Sequence, residues 1–144
     1  MGTKSIREIV ETAVRAHLVA QTELTGVNVY KGIEVATDLL PLVVVDCGSV
    51  ANPPDLPEGL GNYLCTVTLQ VYSSADEASA LSVHRDRSAA VLGAMQDLTA
   101  LKAAFVSGGD ATLYDCSPDT VEDGRGDRAL GTQGTFSLLV VLPA

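Results

Sequence analysis

Asn62-Tyr63-Leu64-Cys65-Thr66-Val67-Thr68-Leu69-Gln70-Val71-Tyr72-Ser73-Ser74-Ala75-Asp76 is the stretch that decides how this chain folds. Cys65, Val67, Leu69 and Val71 alternate with Leu64, Thr66, Thr68, Gln70 and Tyr72. Successive side chains of a strand point to opposite faces, so the first set lines one face of a sheet. Residues 73–76 are rich in helix N-caps. After them Ala80, Leu81, His84, Ser88, Val91, Leu92, Met95 and Leu98 recur at helical spacing. A strand followed by a helix that returns over its own sheet is a building block of an α+β layer.

Upstream, the pattern predicts a helix over residues 4–22. Ile6, Ile9, Val10, Ala13, Val14, His17 and Leu18 form one stripe, opposite Arg7, Glu8, Glu11 and Arg15. Thr3 or Ser5 is placed to cap it, with Glu8 three residues after Ser5 as in a capping box. Gly26 follows where the chain must turn. Residues 27–30 read as a short strand, and residues 42–47 as a β-branched buried strand led by Pro41. Residues 48–60 carry Gly48, Pro53, Pro54, Pro57 and Gly59 and read as a long, stiff loop.

Downstream, residues 101–105 extend the second helix, residues 107–110 end it, and residues 111–116 form a short strand. Residues 117–134 read as a second long loop, because four glycines (124, 126, 131 and 134) stand among Asp119, Glu122, Asp123, Arg125, Asp127 and Arg128. The last strand, residues 135–142, is apolar on both faces. It is therefore expected to be central in the sheet or buried by a partner chain. The expected fold is α+β: a mainly antiparallel sheet with two amphipathic helices packed on one face. The 144 residues are expected to form one domain, 1–144, without a disulfide or metal staple.

The hydrophobic share is 47%, which is that of a globular chain. There are 18 acidic and 9 basic residues, for a net charge of −9. No Lys or Arg occurs between Gly32 and His84, whereas Glu34, Asp38, Asp46, Asp55, Glu58, Asp76 and Glu77 do. A protein that holds DNA by its phosphates needs the opposite balance. Solubility accounts for any one of these carboxylates. Together they suit a surface past which nucleic acid slides. The opening residues lack an apolar signal region, Ile6 spoils the myristoylation pattern, and no apolar run reaches the ~20 residues of a membrane span. Cys47, Cys65 and Cys116 lie in strand-like contexts with no CxxC, and read as reduced core residues.

Several candidate sites fail on chemistry. His84 lies on an apolar helix face with no partner identified by sequence, so it reads as a hydrogen-bonded helix histidine, as does His17. Two histidines and three scattered cysteines have no zinc-ligand spacing. Gly124-Arg125-Gly126-Asp127-Arg128-Ala129 has the letters of a dinucleotide fingerprint, but no helix follows it. The Arg-Gly-Asp within it arises easily in a charged, glycine-rich segment. Asp119, Glu122, Asp123 and Asp127 lack the calcium-loop pattern, and Arg125 and Arg128 stand among them. No cofactor and no catalytic residue is expected.

The order of elements resembles the tail terminator (tail completion) proteins of long-tailed bacteriophages. The resemblance rests on the opening amphipathic helix, the proline-led strand Leu40-Pro41-Leu42-Val43-Val44-Val45, and the Gly/Pro loop before the long alternating strand. It also rests on His84-Arg85-Asp86-Arg87 near the start of the next helix and on the closing Ser137-Leu138-Leu139-Val140-Val141-Leu142. Head–tail joining proteins of the neck are similar in pattern and are the alternative within the virion, and a soluble binding or enzyme domain is the reading from a different class. The resemblance implies a virion protein, assembled in the host cytoplasm as a hexameric ring. Such a ring caps the tail tube, stops its polymerisation and meets the head connector or stopper, with DNA passing through the lumen and no membrane involved. On this reading the two long loops make the contacts, through Asp119, Glu122, Asp123, Arg125, Asp127, Arg128, Pro53 and Pro54.

Overall fold

The computed structural model describes residues 5–32, 40–51, 61–76, 78–125 and 129–142. Helix α1 spans Ile6–Val19 and begins where the Ser5 side chain accepts the Glu8 N–H at 3.1 Å, the predicted cap. Its apolar stripe is buried: Ile9, Val10, Ala13, Val14, His17 and Leu18. A 3-10 turn over Thr22–Leu24 leads through Gly26, at φ +86°, into strand β1 (Asn28–Lys31). Strands β2 (Leu42–Ala51) and β3 (Asn62–Ser74) follow, then helices α2 (Ala80–Gln96) and α3 (Leu98–Gly108), then strands β4 (Thr112–Arg125) and β5 (Ala129–Val141).

The five strands form one sheet in the order β1-β2-β3-β5-β4. Every pair is antiparallel except β1 with β2, which is parallel. The fold is the expected α+β layer. The alternation of β3 holds: Cys65, Val67, Leu69 and Val71 are each at most 2% exposed, while Leu64, Thr66, Thr68, Gln70 and Tyr72 are half-buried. The buried set joins Val43, Val45, Phe136, Leu138 and Val140 in one core that also takes side chains from all three helices. All three therefore lie on the same face of the sheet. Each of these side chains, removed from water, stabilises the fold by about 1.5–3 kcal/mol.

Three expectations are corrected. First, the second helix does not continue into residues 101–105. It breaks at Asp97, and α3 leaves α2 at 72°. Asp97 accepts the Ala100 N–H at 3.2 Å and so caps a new helix. The turn swings Leu101 and Phe105 down onto α1 and the core, which one straight helix would carry away from it. The cap-rich residues 73–76 do not start α2 either. β3 runs on to Ser74, and α2 begins after Ser79.

Second, residues 117–134 are not a loop. β4 and β5 pair from Thr112↔Val141 to Arg125↔Leu130, so nearly all of that stretch is strand. Two of the glycines that suggested a loop are there for space. A Cβ on Gly134 would come within 3.0 Å of Leu92 and 3.2 Å of Phe136, and one on Gly131 within 3.3 Å of the Tyr72 ring. Third, residues 48–51 belong to β2, which continues past an irregularity between Cys47 and Ser49 to Ala51. Residues 52–60, including Pro53 and Pro54, lie outside the described residues. The last strand is central in the sheet, between β3 and β4; its Leu138 and Val140 enter the core, while Leu139 and Val141 are half-buried on the opposite face.

Candidate assembly surface

β4 is an edge strand, paired on one side with β5, and its outer edge faces away from the sheet. It is exposed continuously from Ser117 to Gly124. Two register shifts, after Leu113 and after Pro118, leave Tyr114 and Asp119 as extra residues. The expected interface residues on β4 do not form one cluster. Glu122 pairs with Gln133 on the face without helices, where Gln70 Nε2 donates to Gln133 Oε1 at 3.2 Å. Asp119 is on that face too, and its Oδ2 accepts from Ser137 Oγ at 2.7 Å. Asp123 points to the helix side, where its Oδ1 accepts from Thr132 Oγ1 at 2.7 Å. Arg125 enters the ladder through its backbone, opposite Leu130. Asp127 and Arg128 lie outside the described residues.

The carboxylates are thus displayed on both sides of the sheet edge. Among the described residues no group of three His, Cys, Asp or Glu side chains converges as a metal site would need. A cleft of about 200 Å³ runs beside Gln70, Glu122, Asp123 and Gln133, shallower than the ~300–1,000 Å³ usual for small-molecule sites.

Behind Asp123 lies a buried polar cluster that sequence reasoning did not assemble. His84, 4% exposed, has Nδ1 at 2.9 Å from Ser73 Oγ and Nε2 at 2.9 Å from Thr132 Oγ1. Ser88 Oγ stands 3.4 Å from Nε2. Thr132 gives its hydroxyl proton to Asp123, so it accepts from His84, which places a proton on Nε2. In the neutral ring Nδ1 then accepts from the Ser73 hydroxyl. One hint was in the sequence: the β3 alternation, carried one step further, puts Ser73 on the core face. A Ser–His contact is the start of a nucleophilic pair, but Ser73 has no exposed surface and meets no substrate. The cluster clamps α2 onto β3 and β5, and through Asp123 onto β4. His17 has a comparable part, donating Nε2–H to Ala94 O at 2.7 Å and so tying α1 to the end of α2.

The cysteines are packing residues. Burial, reinforced by Asp115 and Asp119, pushes the Cys116 thiol up to about 11, which keeps it protonated. Cys65 is pushed up by its hydrogen bond with Cys47 and by burial, and that same hydrogen bond lowers Cys47.

No protein-family model matches the chain, and no curated protein matches it by sequence. Among solved structures, it is similar to a chain of the virion of a native gene transfer agent particle, with a TM-score of 0.65. The two chains share a fold. The likeness covers 91% of this chain and 93% of the other, at 15% sequence identity. It therefore spans the helices, the sheet and the β4–β5 hairpin rather than one motif.

Proposed function

We propose that this chain is a structural protein of a phage-type virion. It forms a ring on the end of the tail tube, stops tube polymerisation and joins the tail to the head connector. The observation that carries this reading is the shared fold with a gene transfer agent virion chain, nearly end to end in both. The order of elements supports the tail-terminating role within such a particle. The acidic balance, −9 overall, supports a ring through which DNA passes without being held. The ring is a homo-oligomer, six-fold on this reading. Its other partners are the tail tube protein and the head connector or stopper protein. The chain is not an enzyme: its buried histidine serves packing.

Particles assembled without this chain test the reading. A terminator leaves tails of uncontrolled length. A neck component leaves tails of normal length that fail to join heads. Normal, joined particles in its absence overturn both.

A further inference from the structure

We infer that neighbouring copies meet head to tail across opposite ends of the sheet, the β4 edge of one copy lying against the α1–β1 edge of the next. This inference rests on the ring reading and names the surfaces that build it. The two ends of the sheet differ in charge. β4 carries four carboxylates, Asp115, Asp119, Glu122 and Asp123, against one cation, Arg125, its last residue. The far end, β1 with α1 against it, carries Arg7, Arg15 and Lys31. It also has Glu8 and Glu11, but Glu11 is held by the Cys47 N–H at 2.8 Å. Lys31 Nζ donates to Thr12 Oγ1 at 3.0 Å and makes a loose pair with Glu8 at 3.9 Å, and both charged side chains are exposed.

The geometry selects the mode of contact. Neither edge is open for continuous strand addition. β4 is interrupted by Pro118 and by two register shifts. The N–H of Asn28 bonds to Pro41 O, just before β2, and that of Gly32, just after β1, to Val45 O on β2, so the backbone groups of Val29 point outward. The outward Val29 carbonyl is already taken by Arg15 Nε at 2.8 Å. The copies therefore meet through side chains. A two-fold contact of β4 with β4 sets carboxylate against carboxylate, which disfavours it. A contact between unlike ends repeats from copy to copy and closes into a ring when the rotation permits. Exposed ion pairs are individually weak, so apolar cover is also needed. Tyr114 and Val121, each more than half exposed on β4, and Val19 at the end of α1 supply it.

Charge reversal tests the inference. One variant carries Asp115→Lys with Glu122→Lys, a second carries Arg7→Glu with Lys31→Glu, and a third carries all four changes. Native mass is measured across concentration at low and physiological salt, with and without purified tail tubes, and circular dichroism melting checks each fold. Each two-site variant is expected to raise the half-assembly concentration by roughly tenfold or more. The four-site variant, and a mixture of the two two-site variants, recover assembly. Raising salt weakens the wild-type contact. If the wild type forms rings and both folded two-site variants form them equally well, the contact lies elsewhere, and the ring reading stands without this inference. If the wild type stays monomeric even on tube ends, the ring reading falls and the inference with it.

Discussion

β3 and β4 are nearly equal in length, 13 and 14 residues, and are built in opposite ways. β3 buries every second side chain beneath the helices, and its apolar positions define the core. β4 buries Leu113, half-buries Cys116, and from Ser117 to Gly124 exposes every residue. The first strand is held by its side chains. The second is held largely by its ladder to β5, with residues 117–124 exposed and the side chains of Asp119 and Asp123 bonded to β5. The difference teaches where change is costly: in β3 it is felt as stability, and in β4, on the proposed reading, as assembly.

The largest effect belongs to the core. Leu69→Ala on β3 is expected to lower stability by about 2–5 kcal/mol, measured by denaturant unfolding. A loss below about 0.5 kcal/mol is the response of a surface site and breaks the contrast. Gly134→Val comes next, at roughly 1–3 kcal/mol, because its side chain enters the space held by Leu92 and Phe136. A stabilised variant marks Gly134 as ordinary strand surface.

Between the two strands stands His84. His84→Phe leaves the fully buried Ser73 hydroxyl and the buried Thr132 hydroxyl short of a partner, a loss of about 1–3 kcal/mol. Because Thr132 also holds Asp123, amide exchange near residue 123 is expected to quicken in this variant. Unchanged stability and exchange there contradict the clamp.

The smallest effects belong to β4. Glu122→Gln is expected to move stability by less than about 0.5 kcal/mol, so any assembly defect it causes is not a folding defect. Cys116 adds a dependence on pH. Its folded value, about 11, lies above the ordinary 9.0, so protons are held more tightly in the folded chain. Its contribution is present below pH 9 and is lost as pH rises toward 11. Comparing Cys116→Ala with the wild type over that range isolates it: the variant declines less steeply, and an equal decline refutes the shift.

The contrast also explains what was legible in the sequence. β3 and α1 announce themselves because one face of each is buried, and burial imposes a period that can be read. β4 has little to bury past Cys116, so Pro118, Gly124 and three carboxylates stand where the ladder alone defines the strand. Gly131 and Gly134 are turn residues by composition, yet here they make room for Tyr72 and Leu92, neighbours that only the folded chain supplies. The parallel pairing of β1, four residues long, leaves no local mark at all. Of the predicted contact residues, Asp119, Glu122 and Asp123 do lie exposed on one strand, but on two faces of the sheet rather than in one loop. Shortening this region removes paired strand, so single side-chain changes are the sharper probe of its role.

The central claim is that this chain ends tail tubes. It is tested most directly by polymerising purified tail tube protein with and without the chain, then measuring tube lengths and imaging tube ends by electron microscopy. The account predicts that added chain halts growth and that a six-fold ring sits on one end of each tube. Tubes that grow to the same length with bare ends, in the presence of folded chain, contradict it.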